Sequence, residues 1–172
     1  MRHFLLSLVL AFALHAAHAA VPDIALPDLD GQPRNVNAFI GHGQWVVVVF
    51  WSHDCRICAS EIHNMESFHE KHHTKDAMVL GVTLDGVSYV DQARQFVAEY
   101  HLSFMNLLAE PDAAVVPRLG GGQFVGTPTY YFFDPIGRIV GRKIGPISGA
   151  DIEEFIAAFN SSPYAVKQLA KQ

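Results

Sequence analysis

Apolar residues fall along this chain in blocks of alternating character. Val46 to Phe50 is an unbroken β-branched and aromatic run, the composition of a strand buried on both faces as central parallel strands are. After a short polar break, Cys58, Ile62, Met65 and Phe68 recur at steps of three and four, which predicts a helix laying one stripe on a core. The polar stretch His69 to Asp76 is expected to end that helix. Met78 to Leu84 is a second buried strand closed by an Asp85-Gly86 turn. Ser88 to Tyr100 follows as a helix with Ser88 as N-cap, Asp91 at the capping-box position, and Val90, Ala93, Phe96, Val97 and Tyr100 on one face.

The remainder is punctuated by turns. Phe104 to Leu108 returns as a strand, and Asp112 to Leu119 is at most a short helix before the break at Gly120 to Gly122. Thr129 to Phe133, the turn Pro135-Ile136-Gly137 and Arg138 to Ile144 make a hairpin. Ser148 caps a last helix to about Phe159, with Ile152, Phe155, Ile156 and Phe159 turned inward. Ahead of all this, Ala20 to Gly43 is rich in Pro and Gly, with Asp30-Gly31 as the turn of an edge hairpin.

At 172 residues and 50% hydrophobic composition the chain suits one domain with a substantial core, not two. Residues 1–19 read as a secretory signal: Arg2 and His3, an apolar stretch Phe4 to Leu14, and Ala17-His18-Ala19 as the cleavage site. Spanning a bilayer takes about 20 apolar residues, so this stretch is short for an anchor, and an uncleaved signal is the one route to membrane attachment. The domain then runs over 20–160, with a tail at 161–172 in which Tyr164, Val166 and Leu169 could prolong a helix. Losing Arg2 makes the formal charge of −5 one unit more negative, and no basic cluster remains, which excludes nucleic acid as a partner class. Export to the periplasm puts the cysteines in an oxidising compartment.

Those cysteines carry the chemistry. Cys55 sits at the strand-to-helix turn and Cys58 one turn inside, where the free N–H groups and dipole of a helix N-terminus favour a thiolate. A second sulfur three residues on closes a disulfide or resolves a mixed one, so Cys55 is the attacking and Cys58 the resolving residue. A ring this small restricts the unfolded chain by only about 2 kcal/mol, against about 4.7 for a 100-residue loop, which argues against a purely structural staple. Structural zinc lacks a second ligand pair, since His69, His72 and His73 are crowded together and His69 lies about 16 Å along the helix from Cys58. His69 and His73 are spaced for a surface metal site or, more simply, a solvated face. A peroxiredoxin nucleophile is preceded by P-x-x-x-[ST]-x-x-C; Ser52 fits, but Val48 stands at the proline position. Copper(I) on the two soft thiolates is the main alternative outside enzymology and would make the chain a metal-centre assembly chaperone.

The segments PDLDGQPRNVNAFIGHGQWVVVVFW, CRICASEI, GVTLDG and GTPTYYFFDPIGRIVGRKIG, in this order and spacing, resemble the thioredoxin superfamily, specifically TlpA/ResA/CcmG-like thiol–disulfide oxidoreductases of the bacterial envelope. The resemblance spans about Asp23 to Phe159 and implies an α/β thioredoxin-like fold: a central mixed sheet flanked by helices, an N-terminal hairpin and a strand–helix insert. It implies no cofactor, protein thiols or disulfides as substrates, and an upstream membrane electron donor. By the same resemblance Pro128 is a cis proline facing the disulfide, with Thr127 and Trp51 completing the client-binding surface. Glu61 matches an acid that helps move the resolving thiol's proton; its alternative is an exposed helix-surface residue. The buried acid of thioredoxins, six residues before the first cysteine, is replaced by Val49. Asp54, Ile57 and His63 depart from a usual Trp, Pro and Pro.

Overall fold

Trp45–Trp51 forms a strand (β3) in which every residue is buried, the outcome that its apolar run dictates. In this computed structural model the described residues are 21–163, so the signal sequence and most of the tail lie outside them. The other strands are β1 (Ala25–Pro27), β2 (Pro33–Asn35), β4 (Ala77–Thr83), β5 (Asn106–Leu108), β6 (Thr129–Phe133) and β7 (Ile139–Ile144). The helices are α1 (Arg56–His72), α2 (Val90–Glu99), α3 (Val115–Arg118) and α4 (Gly149–Asn160).

Five strands make the main sheet in the order β5-β4-β3-β6-β7, with β1 and β2 paired separately as an antiparallel hairpin. Strand β3 pairs parallel to β4 and antiparallel to β6, so it is central to a mixed sheet. Alternation along β3 divides the core. Trp45, Val47, Val49 and Trp51 face Cys58, Ile62, Met65 and Phe68 of α1, Ala93 and Phe96 of α2, and Ile152 and Ile156 of α4. Val46, Val48 and Phe50 face the opposite layer, built from Ile24, Val36 and Ile40 near the hairpin and Val115 and Val116 of α3. At roughly 1.5–3 kcal/mol for each large apolar side chain buried, the α1 stripe alone holds that helix firmly on the sheet. The last helix starts as its sequence predicts, since the Ser148 hydroxyl accepts the Asp151 N–H while the Asp151 carboxylate accepts the Ser148 N–H.

Four expectations need correction. Helix α1 continues through His72, because His69 is buried and its Nδ1 accepts the Val79 N–H at 3.1 Å, tying the helix to β4. His69 is therefore not on a solvated face, and with Nδ1 accepting the Val79 N–H the ring proton sits on Nε2, which leaves no free lone pair for a metal. Ser88 caps nothing: a short 3-10 turn, Val87–Tyr89, precedes α2, and Asp91 instead pairs with Arg94 at 2.6 Å. Strand β5 is only three residues long, with Phe104 buried ahead of it.

Candidate active site

The end of β3 and the start of α1 deliver the two cysteines. Cys55 is the N-cap of α1, half-buried and bonded to Cys58, with 5.2 Å between the two Cα atoms. The Cys58 N–H lies 3.0 Å from Cys55 Sγ, so an orphan donor of the first turn points at this sulfur. Cys58 is 1% exposed and belongs to the core stripe. The two sulfurs thus differ in access and in the field they feel, although they are three residues apart.

Opposite them runs the start of β6. The antiparallel register sets Phe50 against Thr129, which carries the preceding Thr127-Pro128 turn back to the loop that ends in Cys55. The Thr127-Pro128 peptide is cis, Thr127 is half-buried and Pro128 is buried. Trp51 does not join this surface. It is fully buried, stacked on Phe96 at 4.6 Å, with its indole N–H donating to Asn106 Oδ1, so it supports the site from beneath rather than meeting a partner. Glu61 is half-buried and accepts the Asn64 amide at 3.0 Å. It also reaches the core's edge: burial pushes the Tyr130 phenol well above its usual range, and the Glu61 charge pushes it further.

One arrangement escaped the sequence. Ser52 to Cys55 is a turn, closed by the Cys55 N–H to the Ser52 carbonyl at 3.2 Å, with Ser52 Oγ donating to Asp54 Oδ1 at 2.8 Å. Asp85, 5% exposed at the end of β4, holds this turn from behind. Its carboxylate accepts the His53 N–H at 3.0 Å, His53 Nδ1 at 2.6 Å and the Thr83 hydroxyl. A carboxylate only accepts, so Nδ1 is the protonated nitrogen. The imidazole stacks on Tyr89 with ring centroids 5.2 Å apart. His53, Asp54 and Asp85 bring ligand atoms within 4.8 Å of one another, but the Asp85 oxygens are engaged by N–H and O–H donors, and the cluster is held together without a cation. The two partners lie 32 residues apart, so spacing carries no signal for the pair.

Beside this pair opens a cleft of about 430 Å³ lined by Ser52, His53, Asp54, Tyr89, Phe124 and Thr127, among others. Four exposed apolar residues border the same end of the molecule: Ile57 after Cys55, Val87 and Tyr89 after Asp85, and Val125 before Thr127.

A family model described as AhpC/TSA matches residues 17–142. The chain belongs to the AhpC/TSA family. Within that family it lacks the proline of the peroxiredoxin nucleophile loop, for Val48 is paired on both sides in the middle of β3, where proline would remove a ladder hydrogen bond. Similar solved structures include the thioredoxin domain of a thiol-disulfide oxidoreductase from Bacteroides vulgatus, at 26% identity and TM-score 0.65, covering 83% of this chain and 97% of that one. A secreted thiol-disulfide isomerase from Corynebacterium glutamicum is 25% identical with TM-score 0.68, over 78% and 81% of the two chains. A DsbF homologue from Corynebacterium diphtheriae shares the fold at TM-score 0.71 and 21% identity, covering 84% of this chain and 88% of that one. With the bonded C-x-x-C pair on this scaffold, the AhpC/TSA chain is a thioredoxin-like thiol–disulfide oxidoreductase.

Proposed function

We propose that the protein is exported to the periplasm and reduces disulfides of envelope proteins, with Cys55 as nucleophile and Cys58 as resolving thiol. The observation carrying the role assignment is the asymmetry of the pair: Cys55 is half-buried with its Sγ facing the Cys58 N–H at 3.0 Å, while Cys58 is 1% exposed. A helix N-terminus stabilises the thiolate of the first sulfur and burial restrains the second. Glu61, near Tyr130 and the buried stripe, serves as proton acceptor for Cys58 as it turns to resolve the mixed disulfide. Thr127 presents its backbone to an extended client segment beside Cys55, with Pro128 shaping that turn.

Export is supported by the composition of residues 1–19 and by the secreted relative from Corynebacterium glutamicum. Since an oxidising compartment does not replenish thiols, the spent disulfide takes electrons from a membrane donor. Apocytochrome c awaiting haem, or another envelope thiol protein, is the client. Insulin reduction with dithiothreitol tests the activity: the wild-type protein accelerates it and Cys55→Ser abolishes it. A wild-type protein inactive on insulin that binds one Cu(I) per chain would make the pair a copper carrier instead.

A further inference from the structure

The His53–Asp85 pair exceeds what closing a turn requires. One buried carboxylate takes both the backbone N–H and the ring Nδ1–H of the same residue, and its second oxygen is anchored by Thr83. Tyr89 clamps the ring face. The imidazole is thus fixed in position and plane, with its Nδ1–H held on Asp85 and its side chain still 26% exposed on the cleft that Thr127 lines from the other side. Its Nε2 makes no hydrogen bond among the described residues. A carboxylate that orients a histidine so that the far nitrogen meets substrate is the arrangement of a proton-transfer group.

We propose that His53 is the general acid that protonates the client thiolate expelled when Cys55 attacks, with Asp85 as its positioning residue. This rests on the reductase function proposed above. In the reduced protein the Cys55 thiolate attacks one client sulfur. The Cys55–S bond forms as the client S–S bond breaks, and the departing sulfur keeps the electron pair and takes the Nε2 proton of the imidazolium, whose Nδ1–H stays on Asp85. The imidazole regains a proton from solvent. Cys58, its proton passed to Glu61, then attacks Cys55 Sγ as thiolate and expels the second client sulfur, which is protonated from solvent, so that the dithiol is oxidised to the disulfide present here and the client is reduced by two electrons to a dithiol. The charged and titratable groups around the ring are Asp85 behind it, Asp54 on its own turn, Tyr89 against its face, and Glu110, whose carboxylate lies over Gly86. These are acidic or neutral; Arg56, the cation nearest in sequence, is exposed on the first turn of α1, and its guanidinium does not give up a proton.

The test uses the leaving group. An alkyl thiolate departs as a strong base and gains from a proton, whereas the aryl thiolate of dithiobis(nitrobenzoate) departs readily without one. Single-turnover oxidation of the reduced protein is followed with a cystine-bridged peptide and with the aryl disulfide. His53→Asn and His53→Gln should each slow the alkyl reaction about a hundredfold at pH 7, at the low end of general acid catalysis, and the aryl reaction less than about twofold. Asp85→Asn should show the same selectivity. The wild-type alkyl rate, corrected for Cys55 ionisation by iodoacetamide alkylation, should fall on the alkaline side, and that fall should vanish in His53→Asn. Equal slowing on both disulfides, an unchanged alkyl rate, or a parallel loss of Cys55 alkylation would overturn the assignment. A wild-type protein that reduces neither disulfide would instead refute the reductase function and, with it, this role.

Discussion

Trp51 and Asn106 meet through a hydrogen bond of 3.0 Å between the indole N–H and the amide oxygen, across 55 residues of sequence and wholly inside the protein. Gly81 makes the approach feasible, since a Cβ there would lie 2.0 Å from Asn106 Oδ1. The bond fixes the end of β3 to β5 directly beneath the turn that carries His53 and Cys55.

Removing the acceptor leaves a buried donor unpaired, which costs roughly 1–3 kcal/mol. Asn106→Leu should therefore lower the unfolding free energy by that amount, read as a lower urea midpoint, and loosen the cysteine loop, visible as faster proteolysis near Cys55. Gly81→Ala should be at least as harmful because the clash is with a side chain already fixed by its own bond to the Phe104 carbonyl at 2.9 Å. Equilibrium denaturation of the two variants checks both expectations.

Cys55 should alkylate well before Cys58 in the reduced protein. Its sulfur is reachable and faces an N–H donor, while Cys58 lies in the core stripe. Brief iodoacetamide treatment followed by peptide mapping reads the order, and equal or reversed labelling would remove the role assignment.

His69 ties acid sensitivity to the fold. Burial, then the neighbouring His73, lowers its pKa from the ordinary 6.5, with Glu66 opposing. The folded protein thus binds this proton less readily than the unfolded chain. Above pH 6.5 both states are neutral at this site and the full stability is present; as pH falls from there through the folded pKa, stability is lost. Protonation also removes the acceptor for the Val79 N–H. The denaturation midpoint should drop between pH 7.5 and 5, above the range where the carboxylates titrate, and His69→Asn, which keeps an acceptor in place, should flatten that drop.

The Ser148 capping box offers a stability test far from the chemistry. Ser148→Ala should cost about 1 kcal/mol and leave insulin reduction unchanged. A loss of activity with intact stability would tie α4 to the site.

Direction follows from the reduction potential. Asp54 beside Cys55 opposes the thiolate, and Arg56, exposed on the first turn, favours it. One pKa unit of thiolate stabilisation moves a two-electron potential by only about 30 mV, while thioredoxin and DsbA differ by about 150 mV. Equilibration against glutathione buffers with acid trapping should give a potential nearer thioredoxin's about −270 mV than DsbA's about −120 mV. A DsbA-like potential would make the protein an oxidant.

Local chemistry made much of this protein legible in its sequence. A short β-branched run favours a buried strand, a stripe at helical spacing lies on a core, and the polar break between them sets the strand-to-helix turn; β3, α1 and the place of the C-x-x-C pair follow from neighbours in the chain. The Ser148 cap and the β6–β7 hairpin are equally local. Tertiary structure decided what depends on contacts between distant segments. His69 looked polar and solvated because its acceptor role needs Val79, ten residues on in another element. Trp51 looked available to a partner because its burial depends on Phe96 and Asn106. Asp85 comes to the turn ahead of Cys55 only because β4 lies parallel to β3, Trp51 opposite Thr83, so that both strands end at the same edge. Parallel pairing brings together residues that sequence separates by a whole helix, and no local pattern records that meeting.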